Sequence, residues 1–151
     1  MQLVFSPINA SEILHHINND CKPLWGKMSA QHMVEHLAIV LKISIGKIIL
    51  SLEEPTEKTE RIKQLFLISD KPFQKNFVNP ITKENLLPLQ FSEMEESKKD
   101  LQNAIQDFIN YYEQHAEHKH QHPVFGMLNK KEWYIFHEKH FTHHFSQFAL
   151  I

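Results

Sequence analysis

The sequence contains a single cysteine, Cys21, so no disulfide can form within the chain. Intracellular proteins keep their thiols reduced, whereas small secreted domains often depend on disulfides. The N-terminal residues MQLVFSPINASE contain neither the basic segment nor the long apolar segment of a secretory signal. We therefore expect a cytoplasmic protein.

The sequence also has few glycines, no apolar run of membrane-spanning length and no large excess of one charge. Three glycines are too few for a glycine-rich phosphate-binding loop or for the many tight turns of an all-β chain. The longest apolar run, residues 37–52, includes Lys42 and Lys47 and is too short to cross a bilayer. The net charge of −2 provides no polycationic surface for nucleic acid. We expect neither a membrane nor a nucleic acid as partner.

Length and composition are those of one globular domain. The chain has 151 residues, of which 42% are hydrophobic and 23% are charged. This is enough apolar chain to bury a core, and the composition does not resemble that of a disordered protein. No internal repeat or long linker divides the sequence, so we predict a single domain over residues 1–151.

Apolar residues recur at three- and four-residue spacing along most of the chain, which is typical of helices. Ser29 is the expected cap of the second helix, and Asn129 with Glu132 forms a capping pair before the last one. The expected helices span residues 9–19 or 11–19, 29–52, 92 to about 113, and 130–148. Four helices joined by loops predict an all-α protein with the architecture of a four-helix bundle.

Residues 53–91 separate the second and third helices without a sustained apolar pattern. Residues 56–68 suit a helix, but three prolines at eight-residue spacing exclude a continuous helix through the remainder. These prolines are Pro72, Pro80 and Pro88. We expect a long excursion over the surface in which Phe73, Phe77 and Leu87 pack back against the core.

The second helix has more apolar residues than one core-facing stripe requires. Leu41 and Ile45 fall on the side opposite to the main stripe. A helix with such a wide apolar surface is either central in its own fold or shared with a partner chain. We expect a homodimer; the alternative is that residues 53–91 cover these side chains within one chain.

Histidine is the unusual component, with 12 residues in the chain. His140 and His144 lie four residues apart on the last helix, in the middle of the apolar face that also contains Trp133 and Phe136. Two imidazoles at this spacing can bind one divalent metal ion. The alternative is a pair of core histidines whose nitrogens are satisfied by hydrogen bonds.

A third metal ligand has to come from another helix. His32 and His36 on the second helix have the same four-residue spacing, and His36 lies nearer the centre of the apolar face. We therefore favour His36, with His32 as a neighbour. His137 and His143 flank the predicted ligands on the last helix, where each can hydrogen-bond to a ligand imidazole or cover the edge of the core.

The remaining candidates fit ordinary roles. A polar tract after the third helix contains His115, His118, His120 and His122. A solvated loop that binds metal weakly explains this tract, and a dedicated metal-handling site is the alternative. Cys21 lies outside both histidine patterns and is expected to pack near Trp25 rather than to act as a nucleophile.

Three segments resemble the DinB/YfiT-like superfamily of metal-binding four-helix bundles. Residues 24–37, LWGKMSAQHMVEHL, contain a Trp, a Met and a closing His, and residues 140–147, HFTHHFSQ, contain the pattern HxxHHxxQ. Residues 122–128, HPVFGML, followed by Glu132 and Trp133, are similar to an uncharacterised branch with an HPxFGxL...EW signature.

This resemblance implies an up-down bundle with a longer crossover between helices two and three, and frequent dimers. It places the metal ligands at His36, His140 and His144, which we expect to bind one divalent transition ion, zinc or nickel. His143 matches a histidine that is not a usual ligand in the superfamily. Gln147 matches the position after the ligands, and its role stays open.

The resemblance also defines the candidate functions. Superfamily members with known chemistry are metal-dependent enzymes, among them S-transferases that use a small thiol. We therefore expect a metal-dependent S-transferase or a related hydrolase acting on a small molecule. The sequence does not identify its general base. The alternative is a non-catalytic, metal-stabilised helical dimer or binding module.

Overall fold

A computed structural model describes residues 3–75, 77 and 85–151 of the chain. Helices dominate these residues, and the strands are short. The elements are α1 (Pro7–His15), α2 (Ala30–Ser44), α3 (Glu57–Ile62), a π-helical segment (Lys63–Ile68), α4 (Met94–Gln114), β1 (His120–His122), β2 (Gly126–Leu128) and α5 (Lys130–Gln147). The prediction of a mainly helical protein is confirmed.

Side-chain caps set the beginnings of the helices. The hydroxyl of Ser29 accepts the backbone N–H of His32 at 3.1 Å, as the sequence predicts for α2. Asn129 and Glu132 form a reciprocal capping box at the beginning of α5. The predicted beginning of α1 is wrong, because Ser6 is its cap and α1 begins at Pro7, a favourable first residue of a helix.

The predicted end of α2 at Leu52 is also wrong. The helix ends at Ser44, and Gly46 has a φ of +75°, which a residue with a side chain adopts only with strain. His120 packs so closely that a Cβ on Gly46 would lie 2.7 Å from its Cε1 atom. The positive φ of Gly46 is the local signal that ends α2, and His120 packs against this position from a distant part of the chain.

The crossover between α2 and α4 contains the helical segment that the sequence predicts for residues 56–68. Thr56 forms a capping box with Thr59 at the beginning of α3, and the π-helical segment follows directly. Phe73 packs against the core as predicted, but Phe77 is 61% exposed and Leu87 is 48% exposed. Pro80 lies outside the described residues.

The core lies between α2, α4 and α5, and α1 packs against α4. Leu41 and Ile45 are both buried within the single chain. These two residues are therefore covered within the chain and do not supply an exposed apolar surface for a partner. The homodimer itself stays a prediction.

The only sheet among the described residues is a hairpin between α4 and α5. β1 and β2 pair antiparallel, with His122 opposite Gly126, and the hairpin is too short to form the core. Within the hairpin, β1 contacts α2 and β2 contacts α5. Within the described residues, no helix has the length and hydropathy that crossing a membrane requires.

Candidate metal centre

Three imidazoles from two helices meet at the edge of the core. Nε2 of His140 lies 3.0 Å from Nε2 of His36 and 3.2 Å from Nε2 of His144. His140 and His144 follow one another after one turn of α5, and the packing of α2 on α5 brings His36 to them. We call His36, His140 and His144 the three-histidine cluster.

The spacing of the cluster fits a single metal ion. Two nitrogens bound to zinc at about 2.05 Å in a tetrahedral arrangement are about 3.3 Å apart. The observed separations of 3.0 and 3.2 Å are close to this value. The ligand atoms of all three residues lie within 4.8 Å of one another. The residues present therefore suit a divalent transition ion.

The protonation of the cluster suits an ion as well. Burial lowers the pKa of His36 to about 4, and the neighbouring His143 lowers it further. Burial also holds the pKa of His140 and of His144 well below the usual value, and the mutual repulsion of the imidazolium forms adds to this effect. The three rings are therefore neutral at pH 7 and have lone pairs available for a metal.

Gln147 fixes which nitrogen of His144 carries the proton. Its amide nitrogen donates to the backbone carbonyl of Trp25 at 2.9 Å, which determines the orientation of the amide group. The amide oxygen then faces Nδ1 of His144 at 2.8 Å and accepts its proton. Nε2 of His144 is left with a lone pair directed at the cluster, which is the tautomer that a metal ligand requires.

Gly26 allows Gln147 to occupy this position. A Cβ on Gly26 would lie 2.8 Å from the amide nitrogen of Gln147, and the residue has a φ of +82°. The backbone N–H of Leu24 also donates to the backbone carbonyl of Gln147 at 2.7 Å. The loop before α2 is therefore attached to the end of α5 beside the cluster.

Replacing Gln147 with leucine should weaken metal binding without abolishing it. Loss of such a hydrogen bond to a ligand imidazole lowers metal affinity by about 10- to 100-fold. Competition with a chromophoric chelator measures this affinity. Gln106→Leu, on the exposed side of α4, is the matched control, and equal affinities in the two variants would contradict the role of Gln147.

His143 lies next to the cluster but not in it. Its ring centroid is 5.1 Å from that of His144 and 5.6 Å from that of Trp25. Phe73 lies on the same side, 6.4 Å away, and its backbone forms a hydrogen bond with His143. Burial lowers the pKa of His143. The side chain therefore links the crossover segment to the neighbourhood of the cluster.

Two predicted neighbours have other partners. His137 is fully buried and its Nε2 lies 3.0 Å from the hydroxyl of Ser44, which donates its own proton to the carbonyl of Leu41. His32 forms a hydrogen bond with the capping hydroxyl of Ser29. Of the two roles predicted for His137, its burial and its contact with Ser44 fit a place in the core, whereas His32 is bonded to the residue that caps α2.

The prediction that His122 belongs to a solvated tract is wrong. His122 is 8% exposed and packs against Phe125 and Phe136, with ring centroids 4.8 and 4.5 Å away. Its Nδ1 accepts the backbone N–H groups of Val124 at 2.9 Å and Phe125 at 3.3 Å. The HPxFG pattern is the signal for this role, since a histidine before the turn supplies the acceptor that the turn needs.

Glu35 is a structural residue that the sequence does not reveal. This buried carboxylate accepts the backbone N–H groups of Gln90 and Phe91, just before α4. Gln31, one turn earlier on α2, donates to the carbonyl of Phe91 at 2.9 Å. Glu35 therefore anchors the end of the crossover to α2 through Oε1, which accepts both backbone groups.

Comparison with known proteins identifies one family. A family model described as a protein of unknown function, DUF1569, matches residues 75–150. No curated protein and no solved structure matches the chain. The matched region is just over half of the chain; it includes α4, the hairpin and α5, and therefore His140 and His144 but not His36.

Proposed function

The chain belongs to the DUF1569 family, and we propose that it is a DinB-like, up-down four-helix bundle that binds one divalent transition ion. His36, His140 and His144 are the proposed ligands. The proposal rests on the positions of three neutral imidazoles. Nε2 of His140 lies 3.0 Å from Nε2 of His36 and 3.2 Å from Nε2 of His144. Zinc and nickel are the proposed ions, because imidazole nitrogen suits both.

The reaction that we propose is the transfer of a small thiol to an electrophile, or a related hydrolysis. In the transfer, sulfur forms a bond to the electrophilic carbon, the leaving group departs with its electron pair, and the thiol proton passes to water. Three protein ligands leave at least one coordination position free. When bound, the ion supplies Lewis acidity, which lowers the pKa of a thiol or water that reaches it.

The chain's own residues provide access and orientation. His36 is partly exposed, whereas His140 and His144 are buried, so a small molecule would approach from the side of α2. Trp25 and Phe73 flank His143, and the ammonium group of Lys75 lies 4.6 Å from the ring centroid of Trp25. These aromatic rings are suited to the apolar part of a substrate, while Gln147 keeps His144 in its ligand tautomer.

An assay that combines small thiols with a chromogenic aryl halide tests the activity. We expect turnover that a chelator abolishes and that His36→Ala removes. Cys21→Ser should retain nearly full activity, because Cys21 is partly buried, packs against the core and belongs to neither histidine pattern. Turnover that survives the chelator but is lost in Cys21→Ser would contradict the metal-dependent mechanism.

A non-catalytic role is the second candidate, and the burial of the cluster favours it. His140 and His144 are each only 7% exposed, which leaves little room around two of the three ligands. In that case the ion would stabilise the helices as a structural zinc ion does, in a monomer or in a homodimer. Absence of turnover with every thiol and electrophile, together with a fully coordinated ion, would favour this role over the enzyme.

A further inference from the structure

The end of α4 carries a second group of possible metal ligands. Ligand atoms of His115, Glu117 and His118 lie within 4.8 Å of one another. Apart from the three-histidine cluster, no other group of this kind occurs within the described ranges. The rings of His115 and His118 are stacked, with their centroids 4.5 Å apart and their planes inclined by 13°.

The backbone brings these side chains together in a compact turn. His115 is the C-cap of α4, and its N–H donates to the carbonyl of Tyr111 at 2.8 Å. The N–H of His118 then donates to the carbonyl of His115 at 3.1 Å. This hydrogen bond closes a turn that brings the first and last ligand to one side of the chain.

The hydroxyl of Tyr111 contacts one of these imidazoles, that of His118. The hydroxyl lies 2.6 Å from Nδ1 of His118 and 2.7 Å from Nε2 of His120. A hydroxyl has one proton, so it donates to one of these nitrogens and accepts from the other. When it accepts from Nδ1 of His118, the opposite nitrogen of that ring, Nε2, has a free lone pair and lies 3.7 Å from Oε1 of Glu117.

The hairpin positions His120, the other histidine that contacts the hydroxyl of Tyr111. His120 begins β1 and packs on Gly46, where a Cβ would lie 2.7 Å from its ring. Tyr111 is therefore held between His120 and His118, and the turn has a defined conformation. This distinguishes it from a histidine-rich loop whose side chains move independently.

We propose that His115, Glu117 and His118 form a second, surface site for a divalent transition ion of the zinc class. Two imidazoles and a carboxylate are a ligand set that zinc accepts, with water completing the coordination. The side chains of Glu117 and His118 are exposed, so they can rotate to bring their ligand atoms to coordination distance. The affinity is lower than at the three-histidine cluster, because these exposed side chains lose rotamer freedom when they bind.

Titration of the metal-free, full-length protein with Zn²⁺ against a chromophoric chelator tests this site. We expect two equivalents per chain in the wild type and only the tighter one in His118→Ala and in Glu117→Gln. The control is His16→Ala, an exposed histidine outside the group, which should keep both equivalents. Tyr111→Phe should weaken only the second equivalent, by about 10- to 100-fold, because it removes a hydrogen bond to a ligand.

The outcomes separate this site from the buried cluster. If His118→Ala and Glu117→Gln both still bind two equivalents of Zn²⁺, the surface site is wrong. It is also wrong if the wild type binds a single equivalent and neither substitution changes it. A single equivalent that His118→Ala removes would instead support the surface site and contradict the proposed metal centre. Far-UV circular dichroism checks that each variant keeps the helical content of the wild type.

Discussion

Replacing His140 with alanine should remove the bound transition metal from the purified protein. Nε2 of His140 is the central nitrogen of the cluster, at 3.0 Å from His36 and 3.2 Å from His144. Loss of a hydrogen bond to a ligand already lowers metal affinity by about 10- to 100-fold, so loss of the ligand itself should lower it by more than about 100-fold. Metal analysis after dialysis, together with chelator competition, measures the effect.

A neighbouring residue on the same helix provides the control. His143→Ala removes an imidazole that is adjacent to His144 in the sequence but absent from the cluster, and the protein should keep its metal. His144→Ala should behave like His140→Ala. If His140→Ala retains the metal with unchanged affinity while His143→Ala loses it, the assignment of ligands is wrong.

Acid should destabilise the metal-free protein steeply below pH 6.5. Burial lowers the pKa of His122 from 6.5 to about 3, so between these values the unfolded chain takes up a proton that the folded chain does not. The free energy of unfolding therefore falls by about 1.4 kcal/mol per pH unit for this group, or about 2 kcal/mol at pH 5. The pKa of buried His137 is also well below its usual value, and it adds a loss of the same sign.

Urea unfolding at several pH values, with a chelator present throughout, measures this dependence. His122→Asn retains a side-chain oxygen that can accept the N–H groups of the turn, but it does not titrate. We expect the slope of stability against pH to be shallower in this variant by about 1.4 kcal/mol per pH unit. His16→Asn, the same change of side chain at an exposed position, is the control. Equal slopes in His122→Asn and the wild type would show that His122 is protonated in the folded state.

Local signals account for the parts of the fold that the sequence predicts well. The caps at Ser29 and Asn129 are short-range hydrogen bonds, so their residue types are visible in the sequence. The end of α2 has a local signal as well, because Gly46 follows Ser44 closely and has a φ of +75°. The apolar residues beyond Gly46 predict a longer helix, and the contact of His120 with Gly46 is the part that periodicity does not reveal.

The same distinction applies to the metal centre. The spacing of His140 and His144 follows from one helical turn, so their proximity was predictable from α5 alone. The position of His36 relative to them depends on how α2 packs on α5, and periodicity alone did not separate it cleanly from His32. The role of Gln147 was not predictable, because it depends on a backbone carbonyl of Trp25.

His137 illustrates how a neighbouring helix can change the role of a residue. It lies close to the ligand stripe of α5, so the sequence predicts either a hydrogen bond with a ligand or a place at the edge of the core. The hydroxyl of Ser44 on α2 is its hydrogen-bond partner instead, at 3.0 Å. Trp133 stacks on its ring at a centroid distance of 5.5 Å. Tertiary packing thus makes this histidine part of the core.

Anomalous X-ray diffraction from crystals of the untagged protein, dialysed exhaustively beforehand, tests the metal centre most directly. We predict one strong peak at the zinc or nickel absorption edge, about 2.1 Å from Nε2 of His36, His140 and His144. Imidazoles that pair only with one another and show no such peak would contradict the proposal. A peak confined to the turn at His115 and His118 would contradict it as well.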